Sequence, residues 1–463
     1  MSELLADRIA GNAADHGGLP AVIAAGDRID YHRFWDRVTR TAAGLSGMTR
    51  VAVLPTSDID SLIGVVAAMR AGVSVVLLHR HLLPEQLRLV LARTRPGAVV
   101  CAPGSERRLR RLDYTGALRT AADLETAGVP DRADPDSELL VGVTSGTTGD
   151  PKLFVRDQAS WAATLDRSDA TFDIAAGDRV AVPGVLDHTH FLYGALHALT
   201  RGATADLRPA TEALRDGATH LYSVPTIAWD VVRTATGPIP GVREVLSSAA
   251  RWPANGRAAL QEVLPNARLT HFYGASELSF VSFDRGLGAG GDDAAGELFD
   301  GVDVRIRAGL VHVRSDMVFR GYLGAEGPAD GPVDGWVTVG DRGALEGRRL
   351  RLFGRESEVL IRGGLNVEPA AVEAALTAIP GVTEAACVGI ADARWGQIPV
   401  AAAVVDRRAP DVDEIRRRLR AVLPAPSVPA RIHLLDRLPR TARGKLDRPA
   451  LLRRIGRQTA PDR

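Results

Sequence analysis

Residues 144–152 read Thr144-Ser145-Gly146-Thr147-Thr148-Gly149-Asp150-Pro151-Lys152 and directly follow a short apolar run at 138–143. The hydroxyls, the ammonium and the glycines, which let backbone N–H groups approach closely, predict a concave anion-binding loop suited to a polyphosphate. The segment departs from the P-loop pattern Gly-x-x-x-x-Gly-Lys-Ser/Thr, because its lysine follows a proline and no hydroxyl follows the lysine. A plain polar turn is the alternative interpretation.

The lysine of this segment is one of only two in the chain. Of the 57 basic residues, 55 are arginines, and the two lysines are Lys152 and Lys445. An ammonium is a compact point charge that fits against one oxygen in a tight site, which a guanidinium does not do. We therefore predict that these two positions require lysine; the alternative is the chance survival of both.

Length and composition indicate an ordinary globular protein. The 463 residues suffice for about three structural units, and 45% hydrophobic and 24% charged residues argue against disorder or a fibrous repeat. A net charge of +1 gives no electrostatic reason to bind nucleic acid or an anionic membrane. Only Cys101 and Cys387 are present, too few for a disulfide framework or a cysteine-based zinc site. Without a signal-like or membrane-spanning stretch, we expect a cytoplasmic protein.

The pattern around the loop predicts an α/β fold. Apolar runs flank a helix-like stretch at 58–71, which is the rhythm of a β-α-β unit. Further predicted strands lie at 138–143, 220–224, 244–247 and 269–273. The segments between them are long enough for crossover helices, so we predict a large N-terminal domain with mainly parallel sheets layered with helices.

Two regions with other sequence patterns follow the α/β region. Short strands with tight turns at 304–306, 310–313, 336–339 and 350–353 predict a β-rich subdomain at 296–354. Helical and strand patterns after Gly354 predict a small, compact α+β domain. The predicted domains are therefore 1–354 and 355–463. The arginines at 416–418 and 420 fit a solvated helix face better than a nucleic-acid patch.

Several motifs in order resemble those of the adenylate-forming superfamily, which includes acyl- and aryl-CoA synthetases, the adenylation domains of peptide synthetases and luciferases. The segment at 144–152 is similar to that family's Thr-Ser-Gly-Thr-Thr-Gly-x-Pro-Lys signature. Further matches are His271-Phe272-Tyr273-Gly274-Ala275-Ser276-Glu277, the stretch 336–341 ending in Gly-Asp, the hinge at Gly354-Arg355, and the C-terminal lysine motif at 439–448.

The resemblance implies that domain 1–354 binds ATP and the acid and that domain 355–463 is mobile, and it implies a role for each motif. It places ATP phosphates on Thr144, Ser145, Gly146, Thr147, Thr148, Gly149 and Lys152, with Ser276 on the α-phosphate and Glu277 as the Mg²⁺ ligand. Tyr273 would lie against adenine, and Asp341 and Arg355 would bind the ribose. Lys445 would bridge the substrate carboxylate and the α-phosphate, then leave as the C-terminal domain rotates. The predicted catalytic residues are Lys445, His188 and Glu277.

The acid pocket is predicted less sharply. His188 fits the family histidine that borders the acyl pocket and places the carboxylate, although a structural role for His188 or His190 is the alternative. A metal site at this His-x-His pair would have too few certain ligands. By resemblance the pocket is lined by His188, Phe191, Trp229, Ser248, Ala249, Phe272, Gly274 and Ala275.

Three positions depart from the family pattern. Ser276 replaces the threonine of Tyr-Gly-x-Thr-Glu and keeps its hydroxyl. Residues 247–250 read Ser-Ser-Ala-Ala where many relatives have Gly-Gly-Ala-Pro, and the added bulk is expected to narrow the adenine pocket. Ser357 stands at a hinge position where Asp or Lys is commoner. The equilibrium between the orientations of the rotating domain is therefore expected to differ from that of such relatives.

The predicted function is ATP- and Mg²⁺-dependent activation of a carboxylic acid as acyl- or aryl-AMP, with release of pyrophosphate, followed by transfer to CoA. CoA is expected because Arg362-Gly363-Gly364 resembles the loop that lines the pantetheine tunnel. A carrier protein as acceptor, or nitrite activation for diazo formation on an aryl amine, uses the same chemistry. With no carrier domain after Arg463, a free-standing ligase is expected. A catalytically silent nucleotide-binding interaction protein is the alternative from another class.

Overall fold

The structure is a computed structural model that describes residues 3–80, 82–102, 104–112, 114–144, 151–250, 252, 254–287, 294–324, 328–362, 365–392, 395–441 and 445–457. Two large β-sheets and one small sheet are layered with α-helices, so the predicted α/β class is confirmed. Of the residues described, no helix has the length and apolar character needed to cross a bilayer.

The strands up to the Tyr-Gly motif are mostly short. They are β1 Pro20–Ala24, β2 Asp27–Asp30, β3 Arg50–Leu54, β4 Ser74–Leu77, β5 Ala98–Cys101, β6 Leu118–Arg119, β7 Glu138–Thr144, β8 Lys152–Asp157, β9 Arg179–Ala181, β10 Thr204–Asp206, β11 His220–Ser223, β12 Glu244–Ser247 and β13 Arg268–Ala275.

The later strands complete the large sheets and build the small one. They are β14 Ser279–Arg285, β15 Ala294–Leu298, β16 Asp303–Arg307, β17 Leu310–Arg314, β18 Gly321–Leu323, β19 Pro328–Ala329, β20 Asp341–Glu346, β21 Arg349–Arg355, β22 Leu360–Arg362, β23 Leu365–Val367, β24 Val382–Asp392, β25 Gly396–Val405 and β26 Arg431–Leu434.

Helices cover the faces of the sheets. They are α1 Leu5–Asp15, α2 Tyr31–Leu45, α3 Ile59–Arg70, α4 Pro84–Thr94, α5 Glu106–Arg110, α6 Gln158–Thr171, α7 Thr189–Thr200, α8 Ala210–Arg215, α9 Pro225–Thr234, α10 Ala254–Val263, α11 Pro369–Thr377, α12 Val412–Val422 and α13 Arg448–Arg457.

The two large sheets have parallel centres and antiparallel margins. The order in the first is β16-β17-β20-β21-β15-β14-β13-β12-β11-β9-β10-β1-β2, and in the second β19-β18-β8-β7-β4-β3-β5-β6. Strands β9 to β13 and β3 to β7 pair in parallel with their neighbours in the centres. Helix α3 is buried along almost its whole length, and its core cluster joins residues of both sheets. This helix-filled layer holds the two sheets together.

Local chemistry explains the β-α-β unit that the sequence predicts. Strand β3 is almost entirely buried, and helix α3 begins after Asp58, whose carboxylate accepts a hydrogen bond from the Ser61 N–H at 2.7 Å. Strand β4 then pairs in parallel with β3, Val51 facing Val75. The parallel pairing leaves the carboxyl ends of the strands on one edge of the sheet.

The region 294–355 differs in part from its prediction. Its antiparallel strands continue the first large sheet, and β18 and β19 join the second. The predicted strand at 336–339 is wrong: this segment makes only isolated bridges, from Trp336 to Val333 and from Val337 to Val313. The Trp336 ring lies under the guanidinium of Arg305, 4.0 Å from its centroid, so cation–π contacts fix this loop in place of a strand ladder.

The third sheet belongs to the chain after Arg355. Its order is β23-β22-β25-β24, with β26 parallel to β25. Helix α11 packs on β24, and α12 presents Ile415 and Leu419 to the same core. Arg448 ties this unit together through an ion pair with Glu373 at 2.6 Å and a hydrogen bond to the Cys387 carbonyl at 2.7 Å.

Candidate active site

A cavity of about 530 Å³ lies where the predicted motifs meet. Its walls come from the ends of β7 and β8, the start of α7, the segment 248–249, the turn between β13 and β14, and the segments 338–340 and 355–356. Lys152 and Lys445, which are 293 positions apart in sequence, both line it. Two ammonium groups on separate parts of the chain therefore face one space.

The β7–β8 hairpin positions the first lysine. Thr144, the last residue of β7, stands opposite Lys152, the first residue of β8, and both line the cavity. The Lys152 ammonium lies 5.1 Å from the centroid of the Tyr322 ring. The predicted phosphate-binding residues Ser145, Gly146, Thr147, Thr148 and Gly149 lie outside the described residues.

A carboxylate faces the same end of the cavity. Glu277 lies in the turn between β13 and β14, where its Oε1 accepts a hydrogen bond from the Tyr322 hydroxyl at 3.0 Å. Burial raises the pKa of the Tyr322 phenol, so this group remains a donor at neutral pH. Carboxylate oxygens are the ligands that Mg²⁺ prefers, and the buried Glu277 carboxylate at the cavity wall fits this ion.

The turn before Glu277 needs its glycine. A Cβ added at Gly274 would stand 2.0 Å from the Ser279 carbonyl oxygen, because β13 and β14 approach closely at an irregularity there. Gly274, Ala275 and Ser276 line the cavity as a result. Opposite them, Ser248 and Ala249 also line it, and Ala249 has a left-handed φ of 72°.

A buried phenol and a guanidinium bind the Asp341 carboxylate beside the cavity. The Tyr273 hydroxyl donates to Asp341 Oδ2 at 2.5 Å, and Arg355 Nε donates to Oδ1 at 2.9 Å. Burial raises the pKa of Tyr273 well above its ordinary value, so the phenol keeps its proton. Arg355 lines the cavity, while Tyr273 and Asp341 stand behind it and next to Gly340.

The start of α7 positions the predicted histidine. His188 caps this helix, its Nδ1 accepting a hydrogen bond from the His190 N–H at 3.3 Å, and both imidazoles line the cavity. The preceding Asp187 is held by the N–H and guanidinium of Arg80, at 2.9 and 3.1 Å. Burial lowers the pKa of His190 to about 4, so its neutral ring donates from Nε2 to the Ser223 carbonyl at 2.8 Å.

The second lysine stands on a closed loop of the C-terminal unit. The Thr441 N–H donates to the Lys445 carbonyl at 2.7 Å, and the Asp447 N–H donates to the Pro439 carbonyl at 2.9 Å. Residues 442–444 of this motif lie outside the described residues, as do Gly363 and Gly364 and the side chain of Ser357. Arg362 lies beside Trp395, 5.7 Å from its centroid, and away from the cavity.

Two predicted pocket residues lie outside the cavity. Phe191 is buried in the core against Gly184, where an added Cβ would stand 2.0 Å from the ring. Trp229 belongs to α9 and packs on Gly256 of α10, behind the sheet. Both aromatics stabilise the scaffold, which is the commoner use of such residues. The predicted Ser248, Ala249, Phe272, Gly274 and Ala275 do line the cavity.

Sequence reasoning missed one end of the cavity. Its walls carry Arg156 of β8, Trp161 and Thr164 of α6, Tyr193 of α7, and Ser279 and Phe280 of β14. The helix residues belong to no motif. Arg156, however, shares the strand alternation of Lys152 and Phe154, and an arginine on that buried face was a usable signal.

A cavity lined by Thr144, Lys152 and a distant C-terminal lysine is the arrangement expected of an adenylate-forming enzyme. The family model described as AMP-binding enzyme matches residues 9–323, and that of the AMP-binding enzyme C-terminal domain matches 371–445. The chain therefore belongs to the AMP-binding enzyme family, as its motifs predict, and is an AMP-forming ligase.

Individual relatives agree with this assignment. The chain is 32% identical over 460 residues to an uncharacterized acyl-CoA ligase, YhfT, of Bacillus subtilis, which covers 93% of this chain and 94% of the relative. The fold of the present chain matches ATP-bound MatB from Rhodopseudomonas palustris, with a TM-score of 0.86 and 23% identity. The match covers 98% of this chain and 99% of MatB. The fold also matches the o-succinylbenzoate CoA synthetase of B. subtilis in complex with its acyl-adenylate, with a TM-score of 0.83, 22% identity and coverage of 97% and 98%.

Proposed function

We propose that the protein activates a carboxylic acid with ATP and transfers the acyl group to CoA. The observation that carries the proposal is the convergence of Lys152 and Lys445, the only lysines of the chain, on one cavity. Bringing a carboxylate to the α-phosphate of ATP joins two anions, so fixed cations must offset their repulsion. A compact ammonium from each side of the cavity meets that requirement.

In the first half-reaction, a carboxylate oxygen of the acid attacks the α-phosphorus and pyrophosphate leaves. Lys152 and Thr144 are proposed to hold the outer phosphates, and the Ser276 hydroxyl to donate to the α-phosphate. Glu277 would hold Mg²⁺, which supplies charge neutralisation at the phosphates when bound. Lys445 is proposed to hold the attacking oxygen against the α-phosphate, since it lines the same cavity as Lys152 but belongs to the C-terminal unit.

Asp341 and Arg355 suit the ribose because a carboxylate accepts hydrogen bonds from two neighbouring hydroxyls, while a guanidinium donates to the sugar oxygens. His188 is proposed to place the substrate carboxylate, since its ring lines the cavity at the N-terminus of α7. In the second half-reaction the CoA sulfur attacks the acyl carbonyl and AMP leaves. CoA remains the proposed acceptor on the resemblance of 362–364 to a pantetheine tunnel.

Variants at the second lysine test the proposal. ATP–pyrophosphate exchange is measured with a broad carboxylic acid panel and with nitrite, and products with and without CoA are identified by mass. Lys445→Ala should abolish exchange yet still convert presynthesised acyl-AMP to the thioester. Lys152→Ala should impair exchange by weakening the binding of ATP. Arg453→Ala, on the exposed face of α13, controls for loss of a C-terminal cation.

Four outcomes would contradict parts of the proposal. If Lys445→Ala lost both half-reactions equally, a specific role of Lys445 in adenylation would be contradicted. Exchange with nitrite alone would identify the diazo-forming alternative. If no acid and no nitrite supports pyrophosphate release while ATP binds, the protein is a nucleotide-binding interaction protein. Thioester formation on a carrier protein but not on CoA would change the acceptor.

A further inference from the structure

Arg156 is a buried cation that the adenylation chemistry above does not use. It lies on β8 four residues beyond Lys152, on the same face of the strand, so the two Cα atoms are about 13 Å apart. Its side chain lines the cavity although the residue is only 4% exposed. The guanidinium therefore faces the missed end of the cavity, away from the phosphates.

Its hydrogen-bond partners are neutral. Nε donates to Ser160 Oγ at 3.1 Å, and Nη2 donates to the Ser160 carbonyl and to Thr164 Oγ1, both at 3.1 Å. The guanidinium also lies 5.6 Å from the centroid of the Trp161 ring. Within the described part of the chain, no carboxylate lies within 4.0 Å of it, and Nη1 has no hydrogen-bond acceptor.

Arg257 shows what a paired arginine of equal burial looks like. It is also 4% exposed, but its Nη1 forms an ion pair with Asp284 Oδ2 at 2.7 Å. An ion taken out of water costs several kcal/mol unless a counter-charge and hydrogen bonds compensate it. Burial lowers the pKa of Arg156 only to about 10, so it keeps its charge at neutral pH. The neighbouring Asp157 carboxylate interacts with Arg156 electrostatically but is not within ion-pair distance of it. A counter-charge in direct contact with Arg156 is therefore expected from a molecule in the cavity.

The surroundings of Arg156 define the shape of that molecule. Phe272 and Phe280, with ring centroids 4.9 Å apart, form an aromatic wall with Tyr193, which lies 5.4 Å from Phe280. The Thr164 and Ser279 hydroxyls, 2.9 Å apart, add two polar groups beside the guanidinium. An apolar segment with an anion at its far end fits these walls.

We propose that Arg156 binds a second carboxylate of the acid, so that the preferred substrate is a dicarboxylic acid with an apolar middle. The inference rests on the proposed function, because one carboxylate must react at Lys445 while the other reaches Arg156. Nη1 would then donate to the distal carboxylate, while Nε and Nη2 keep their bonds to Ser160 and Thr164. The aromatic side chains would pack on the carbon chain.

Matched acids test this inference. ATP–pyrophosphate exchange is compared for straight-chain dicarboxylic acids of increasing length and for the monocarboxylic acids in which a methyl group replaces the distal carboxylate. In the wild type, kcat/KM should be highest for a dicarboxylic acid of one optimal length. Arg156→Met should lower it for that diacid by roughly 100-fold and leave or raise it for the matched monoacid. Arg156→Lys should retain part of the diacid preference.

Two controls separate folding from recognition. Arg233→Gln removes an exposed arginine of α9 that pairs with Asp230 away from the cavity, and should change the activity with neither class of acid. Thermal unfolding shows whether each variant folds. If Arg156→Met does not fold, Arg156→Gln and Ser279→Ala take its place. Equal loss with both classes of acid, or a wild type that prefers monoacids, would overturn the inference while leaving the proposed function intact. Lack of exchange with any acid would instead overturn the proposed function.

Discussion

The Tyr273–Asp341 hydrogen bond gives a sharp test of how the nucleotide end is built. The family resemblance assigns Tyr273 to adenine, a role that needs only an aromatic ring. In the structure its hydroxyl donates to Asp341 Oδ2 at 2.5 Å. We therefore expect Tyr273 to be a positioning residue that holds Asp341 for the ribose, so that Tyr273→Phe impairs ATP binding although the ring remains.

The magnitude follows from the kind of hydrogen bond. A hydrogen bond to a charged group contributes about 1.5–3 kcal/mol, and each 1.4 kcal/mol is a factor of ten. Tyr273→Phe should therefore raise the KM for ATP roughly 10- to 100-fold. Because the ribose does not react, it is bound alike before and in the transition state, and kcat should change little. Since the buried phenol stays protonated, the effect should not vary between neutral and mildly alkaline pH.

A double-mutant cycle measures this coupling. ATP–pyrophosphate exchange is followed at varied ATP for the wild type, Tyr273→Phe, Asp341→Asn and the double variant, with thermal unfolding as the check on folding. In the Asp341→Asn background, Tyr273→Phe should raise the KM for ATP little further. Additive losses, or a KM for ATP in Tyr273→Phe equal to that of the wild type, would refute the positioning role and restore simple packing on adenine.

The remaining predictions concern the metal end and acid stability. Tyr322→Phe removes the donor to Glu277 Oε1 and should raise several-fold the Mg²⁺ concentration needed for half-maximal pyrophosphate release, with unchanged affinity for the acid. Burial lowers the pKa of His190 to about 4 and of His271 to about 3, from an ordinary 6.5. The unfolded chain therefore binds more protons below pH 6.5, and stability should fall with pH from 6.5 to 4, by at most about 1.4 kcal/mol per pH unit for each histidine. Urea unfolding of His271→Gln should show a shallower pH dependence, and an unchanged slope would contradict this origin.

The fold was predictable wherever the periodicity of one segment decided its structure. The unit β3–α3–β4 follows from two buried runs around a capped helix, and α11 follows from apolar positions behind Pro369. The division into sheets of thirteen and eight strands was not predictable, since strand neighbours are chosen by tertiary packing. The strand prediction at 336–339 was wrong for a related reason. Apolar and polar residues do alternate there, but Trp336 is held by cation–π contacts with arginines of β16 and β17.

The candidate site was predictable where an ordered motif fixes the backbone. Thr144, Lys152, Ser276 and Glu277 reach the cavity because strand ends and a tight turn place them there. Phe191 and Trp229 lie in suitable segments, but Phe191 points into the core and the half-buried Trp229 packs on Gly256 of α10. Sequence order alone does not tell which face of a helix meets a cavity. Thr164 and Tyr193 were missed because they become neighbours only when α6 and α7 pack together.

The convergence of the two lysines is held by weak contacts, which bears on how both half-reactions use one cavity. Contacts between the described residues of the C-terminal unit and the rest include the Asn255 amide on the Val382 carbonyl at 3.1 Å, the Glu356 N–H on the Gly340 carbonyl at 2.9 Å, and a partly exposed ion pair of Arg342 with Glu368 at 3.6 Å. Exposed ion pairs contribute about 0–1 kcal/mol, and a neutral hydrogen bond about 1 kcal/mol. Breaking these particular contacts by rotation of the unit therefore costs little free energy, whereas the internal ion pairs of Arg448 keep the unit intact as it moves. The C-terminal unit is thus stable internally but weakly attached to the rest. This suits a site that needs the Lys445 cation for adenylation and free access for a thiol afterwards.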